Sequence, residues 1–155
     1  MSSSTVTAMP AGPLIVAAAA VVRAGELLVV SKRAAPEVFY LPGGKPEPGE
    51  SLPDAVQREV HEELGVGVAT MRPFAVVEDV AALEKVPMRM TVYLAALIGE
   101  PQPAAELAAL VWTTCEDPDR PFLAPALRNH VVPQLVASGL IDRTPRRRER
   151  AVTGS

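Results

Sequence analysis

A single cysteine, Cys115, is all this chain of 155 residues contains, so no internal disulfide can brace it and its fold does not depend on an oxidising compartment. Long apolar runs are also missing. The longest, Leu14 to Val22, is about half of what a membrane-spanning helix needs. Nothing basic precedes that run and no tidy cleavage site follows it before Arg23 and Glu26, which argues against a secretory signal and for a soluble, cytoplasmic protein with no membrane partner. No internal repeat is visible. A general excess of positive charge is absent too: five of the 15 basic residues and one of the 18 acids fall after Asp142, leaving 10 basic against 17 acidic side chains in residues 1–142. Such a body is unsuited to nucleic-acid backbones through its general field, and any phosphate chemistry must recruit a cation locally.

What is present is ordinary globular material, 48% hydrophobic and 21% charged, with one domain's worth of length. Residues 1–13 are rich in Ser, Thr, Ala, Pro and Gly and read as a flexible N-terminal segment, residues 14–142 as the domain, and residues 143–155 as a basic, disordered tail. Leu14–Val22 and Glu26–Val30, separated by Arg-Ala-Gly, read as a hairpin of strands. A short aromatic segment, 38–41, leads into Pro42-Gly43-Gly44-Lys45-Pro46-Glu47-Pro48-Gly49, a shaped loop in which the prolines and glycines argue against regular structure. Ser51 as N-cap, Pro53 in the first turn, Asp54 three residues after the cap and Gly65 at C′ predict a helix from about Leu52 to Leu64, with Val56, Val60 and Leu64 as its buried stripe. Further strands are expected at 74–80, 88–98 and 110–113, and a second helix over 121–140 that Pro133 kinks or divides.

The first helix departs from generic patterning. Glu59, Glu62 and Glu63 stand at i, i+3 and i+4 and share one face. Like charges so placed destabilise a helix by a few tenths of a kcal/mol, and anions in its last turn oppose the macrodipole by about 0.3–1 kcal/mol each. A bound divalent cation reverses the sign of these terms, and clustered oxygen ligands suit Mg²⁺ or Mn²⁺ better than Zn²⁺. The alternative, a solvated acidic face, is the common fate of such residues.

The surrounding residues extend the pattern: Gly44, five residues, Glu50, seven residues, then Arg58-Glu59-Val60-His61-Glu62-Glu63-Leu64-Gly65-Val66. This resembles the Nudix box, G-x5-E-x7-R-E-U-x-E-E-x-G-U with U a bulky aliphatic, at every position, a match expected by chance on the order of once in 10⁹ starting points. The box covers 23 of the 155 residues, and the Leu41–Lys45 lead-in and strand order extend the likeness to about 13–140. The resemblance implies an α/β fold, an α/β/α sandwich with a mixed central sheet. It implies Mg²⁺ on Glu59, Glu62 and Glu63 with help from the Gly44 carbonyl, bracing roles for Glu50 and Arg58, and hydrolysis of a phosphoanhydride in a nucleoside diphosphate linked to another group. The general base is left open between Glu59 and Glu106, which precedes Trp112 by six residues. Lys32 and Arg33 are candidates for phosphate contact, Phe39, Tyr40 and Trp112 for framing a base, and Arg89 for lining the cleft; core or solvated roles compete for each. His61, His130 and Cys115 carry no ligand or nucleophile signature. Gly43-Gly44-Lys45 lacks the other features of a P-loop, and Gly65-Val66-Gly67 lacks the third glycine of a dinucleotide fingerprint.

Within the family the short chain resembles the MutT-like branch, which points to a nucleoside triphosphate or damaged nucleotide as substrate. An ADP-ribose or nucleotide-sugar pyrophosphatase is the runner-up, although 79–83 holds neither the proline nor the tyrosine that mark other branches. A non-catalytic nucleotide sensor of the same fold is the alternative of another class. Nothing in the sequence separates a monomer from a homodimer.

Overall fold

A computed structural model describes residues 12–116 and 122–144. Strands β1 (Leu14–Ala20), β2 (Val22–Arg23), β3 (Glu26–Lys32), β4 (Ala35–Tyr40) and β5 (Gly43–Gly44) precede helix α1 (Leu52–Leu64). Strands β6 (Gly67–Val80), β7 (Pro87–Ile98), β8 (Leu107–Thr113) and β9 (Phe122–Leu123) follow, then a π-helical turn (Leu127–Val131) that runs into helix α2 (Val132–Ala137).

One sheet has the order β5-β1-β7-β6, with β1 and β7 parallel and the other pairs antiparallel. The second joins β2, β3, β4 and β9, with β8 also on β3, and its β4–β9 pair is parallel. Both sheets are therefore mixed. Strand alternation distributes the core. Ala17, Ala19, Leu28 and Val30 bury themselves with Ala55, Val56, Val60 and Leu64 of α1, whereas Ala18, Ala20, Leu27 and Val29 pack with Leu127, Val131, Val132 and Leu135 on the other side. Helical layers on both faces make the α/β/α sandwich.

α1 has the expected bounds. The Ser51 hydroxyl accepts a hydrogen bond from the Asp54 amide, and Gly65 ends the helix at φ 71°, a left-handed cap that suits glycine. Three expectations change. The first hairpin is confined to β2 and β3, because β1 turns instead to β7 and β5. The loop at 42–49 does contain regular pairing: Gly43 and Gly44 lie against Ala18 and Ala17, where side chains are minimal. The second helix, expected over 121–140, spans only 125–137, because Phe122 and Leu123 pair with β4 as β9; it is divided before Pro133, which has no N–H to donate to Asn129, and the turn there widens so that the Val132 amide bonds to the Leu127 carbonyl. The expected flexible N-terminal segment (1–13) and basic tail (143–155) lie almost wholly outside the described residues. Where the expected tail begins, the Arg143 carbonyl accepts from the Glu116 amide at 2.6 Å, and the preceding Asp142 amide donates to the Gly25 carbonyl at 2.8 Å. Among the described residues, no helix is long and apolar enough to cross a membrane.

Candidate active site

α1 presents its carboxylates at graded depth. At about 100° per residue, Glu63 lies about 60° from the middle of the buried stripe, Glu59 about 100° and Glu62 about 160°. Exposure follows that order: 3% for Glu63, 16% for the Glu59 side chain and 53% for that of Glu62. The three share a helix face in projection, but only Glu59 and Glu63 enter the cleft, while Glu62 turns outward to within 3.5 Å of Arg58.

Arg58 organises the polar end. Its Nε and one terminal nitrogen grip both oxygens of Glu50 at 2.9 Å, its other terminal nitrogen donates to Glu59 at 3.1 Å, and it reaches the Lys45 carbonyl at 3.2 Å. Glu50 in turn accepts from the Glu47 amide at 2.9 Å. The two-pronged arginine contact holds the Glu50 carboxyl down at about 2, well below its ordinary value. The loop from Lys45 to Glu50 is thus tied to the helix that carries the carboxylates. Gly44 sits so close to Glu59 that an added Cβ would lie 2.7 Å from the Glu59 Cδ, and the Gly43 amide donates to Glu63 at 3.2 Å.

Glu59 and Glu63 share a hydrogen bond, and burial raises both above the ordinary carboxylate range. Glu63 is pushed up to about 8, first by burial and then by the neighbouring Glu59 charge. Two buried carboxylates in contact are electrostatically unfavourable without a cation, and their all-oxygen chemistry fits a hard divalent ion. Among the described residues no group of three or more His, Cys, Asp or Glu side chains converges as a metal cage. A site with two carboxylates still suits an ion that keeps water and takes further oxygens from a substrate.

These residues occupy one end of a cavity of about 360 Å³. Lys32 and Glu106 face each other there at 3.4 Å, and the Lys32 ammonium lies 5.8 Å from the centre of the Tyr40 ring. Among the described residues the buried Tyr40 hydroxyl has no hydrogen-bond partner, and burial with three nearby carboxylates keeps it protonated, its pKa pushed up to about 12. The cavity's other end is largely apolar, walled by Leu14, Val16, Leu83, Met88, Met90 and Leu127, with the Glu84 carboxylate among them.

The sequence-predicted residues thus divide. Gly44, Glu59, Glu63, Arg58, Lys32, Tyr40 and Glu106 line the cleft; Glu50 braces it through Arg58. Four candidates for substrate contact do not reach it. Phe39 is in the core beneath the helical turn of residues 127–131, because alternation along β4 sends it and Tyr40 to opposite sides. Arg33 is exposed beyond the end of β3, its amide bonded to the Glu106 carbonyl. Arg89 pairs with Glu78 at 2.9 Å on the outer face of β7, which leaves its neighbours Met88 and Met90 facing the cleft. Trp112 packs beside the α1 core, with Arg23 5.4 Å from its ring centre. The sequence reading missed the two methionines, although their i, i+2 spacing around Arg89 was the available signal. It also missed the Lys45 carbonyl, which no side-chain pattern reveals.

The comparisons with known proteins agree with this geometry. The model of the NUDIX domain matches residues 13–135. The chain belongs to the Nudix family. A Mycobacterium tuberculosis protein whose name proposes 8-oxo-dGTP diphosphatase activity is 37% identical over 106 residues, 66% of this chain and 74% of its own. A solved MutT Nudix hydrolase from Burkholderia pseudomallei is 30% identical with a TM-score of 0.64, over 84% of this chain and 98% of that one. The solution structure of the E. coli ORF135 protein is 29% identical with a TM-score of 0.61, covering 83% and 94% respectively. Nudix hydrolases generally use divalent metal ions, which accords with the oxygen-lined end of the cleft.

Proposed function

We propose that this Nudix hydrolase cleaves a phosphoanhydride bond of a nucleoside triphosphate or an oxidatively damaged nucleotide, with Mg²⁺ as its ion and Mn²⁺ as a substitute. The observation that carries this reading is the contact between Glu59 and Glu63 at the polar end of a cavity whose other end is largely apolar. A triphosphate chain and a nucleobase differ in the same way along one molecule. When bound, a divalent ion supplies neutralisation of phosphate charge and acidification of water.

The chain's own residues do the rest. Glu59 and Glu63 would hold the ion, with Gly44 close beside Glu59 to offer its carbonyl, and the exposed Glu62 lies one turn away for a second ion or an outer water. Arg58 fixes Glu59 through a charge-assisted hydrogen bond and, through Glu50, fixes the loop that carries Lys45. Lys32 neutralises a phosphate oxygen, exchanging part of its contact with Glu106. Glu106, freed of that contact, accepts the proton of the attacking water; Glu59 is the other carboxylate within the cleft for that role. The Tyr40 hydroxyl gains its missing acceptor from a substrate oxygen, which removes the cost of about 1–3 kcal/mol of leaving it unpaired. With one cysteine and no requirement for a disulfide, the enzyme works in the cytoplasm on this reading.

The test is a panel of nucleoside triphosphates, 8-oxo-dGTP and ADP-ribose with Mg²⁺ or Mn²⁺, with the products identified. Release of pyrophosphate or phosphate from the triphosphates supports the proposal. Preferential cleavage of ADP-ribose overturns the substrate class, and tight nucleotide binding without turnover under either ion overturns catalysis in favour of a sensor.

A further inference from the structure

The apolar end of the cavity has two walls from distant parts of the chain. One is the turn after β6, including Ala81, Ala82, Leu83 and Glu84; the other is Ala124, Ala126 and Leu127, which open the helical segment. The first wall is closed on itself, since the Ala81 amide donates to the Val86 carbonyl at 2.8 Å and the Lys85 amide to the Ala81 carbonyl at 2.9 Å. Both bonds are anchored at Ala81, one residue past the end of β6, so what ties the end of β6 steadies the turn and sets its distance from the second wall.

That tie is Asp79. The side chain is 17% exposed, and none of it lines the cavity. One carboxylate oxygen caps the Val80 amide at 2.7 Å. The other receives the Asn129 amide at 3.0 Å and lies 3.3 Å from His130 Nε2. Both partners stand in the π-helical turn, immediately after Leu127 of the second wall. The widened turn exists because Pro133 interrupts the helical ladder, and single π turns recur at functional positions. The Asn129 amide foremost, then the Val80 amide and His130, hold the Asp79 carboxyl below its ordinary range, as expected for a carboxylate used as a multiple acceptor.

We propose that Asp79, Asn129 and His130 form a clasp that fixes the width of the apolar chamber, making Asp79 a positioning residue for the nucleoside part of the substrate although it touches none of it. The inference rests on the nucleotide reading above. It assigns separate work to the two ends of the cleft: the carboxylates and Lys32 act on the phosphates, and the clasp acts on whatever enters between Leu83, Met88, Met90 and Leu127.

The experiment compares wild type with Asp79→Ala and Asn129→Ala on a nucleoside triphosphate and on ribose 5-triphosphate, which carries the same phosphate chain without a base. The expected result is a rise of about tenfold in KM for the nucleotide, kcat within about twofold, and no change in KM for the baseless substrate. The double variant is no worse than Asp79→Ala, because both changes open one clasp. Equal KM rises on the two substrates, or an unchanged nucleotide KM, overturn the proposal. Hydrogen exchange without substrate gives a second readout: the Ala81 and Lys85 amides exchange faster in the variants, and unchanged protection contradicts the clasp. Should Asp79→Ala fail to fold, Asn129→Ala and His130→Ala, which leave the carboxylate and its cap on Val80, carry both measurements. If wild type hydrolyses no nucleotide, the functional reading fails by itself and the exchange rates decide the clasp.

Discussion

Gly44→Ala tests whether the placement of Glu59, rather than its mere presence, governs turnover. Gly44 has no positive φ, so alanine fits its backbone without strain. The new methyl group, however, would stand 2.7 Å from the Glu59 Cδ, inside the distance that carbon atoms tolerate. Either the Glu59 carboxylate retreats by about 1 Å or the β5 backbone does, and misplacement on that scale costs about 10²-fold in rate. The expected loss in kcat/KM is thus about 100-fold, or ~2.7 kcal/mol in the barrier, with Tm within about 2 °C of wild type. Steady-state pyrophosphate release at saturating Mg²⁺ measures the first and thermal denaturation the second. Gly65→Ala is the matched control: nothing lies within 4 Å of its added methyl, but φ is 71°, so it loses about 1 kcal/mol of stability and leaves turnover of the folded enzyme unchanged. Activity of Gly44→Ala within threefold of wild type would refute the argument that this close approach sets the site.

Arg58→Lys removes the two-pronged grip on Glu50 and the simultaneous contact with Glu59, so kcat/KM falls about 10- to 100-fold and urea denaturation shows about 1–2 kcal/mol less stability. In chelator, the raised pKa of Glu63 favours the folded state most fully below about 4.5, and that contribution is lost as pH rises through about 8. Metal-free wild type is therefore less stable at pH 8 than at pH 5 by denaturant titration, and Glu63→Gln flattens the difference; an unchanged pH dependence in the variant would contradict the burial argument. Glu50 works in the opposite direction: its contribution is present above about 4.5 and lost only as pH falls through about 2, so circular dichroism and activity regained after an acid pulse to pH 4 show the loop intact. Arg89→Ala leaves the nucleotide KM within about twofold, since its side chain is spent on Glu78, whereas Phe39→Ala costs about 3–5 kcal/mol of stability by opening a core cavity.

The helix and its chemistry were legible because local rules determine them. Ser51, Pro53 and Gly65 punctuate α1, and the Nudix spacing requires its carboxylates. What could not be read locally was orientation. A shared helix face in projection does not say how deep each member sits, and Glu62 lies about 60° farther from the buried stripe than Glu59, enough to send it to solvent. Phe39 and Arg89 failed as cleft residues for a related reason. Each is adjacent to residues that do line the cleft, and strand alternation gives neighbours opposite faces once a register exists. That register comes from β1 pairing in parallel with β7 across more than 70 residues of chain, a non-local choice absent from any window of sequence. Asp79 was invisible for the same reason, since its partners lie 50 and 51 residues away.

On the proposed reading, Glu59 and Glu63 together hold a divalent ion against a phosphate chain. Titration of Mn²⁺ into the protein with a non-hydrolysable nucleotide, followed by electron paramagnetic resonance, measures this in wild type and in the Glu59→Gln, Glu63→Gln double variant. The account predicts saturable Mn²⁺ uptake by wild type that strengthens with nucleotide and is lost from the double variant. Equal uptake by both proteins, or none by either, would contradict it.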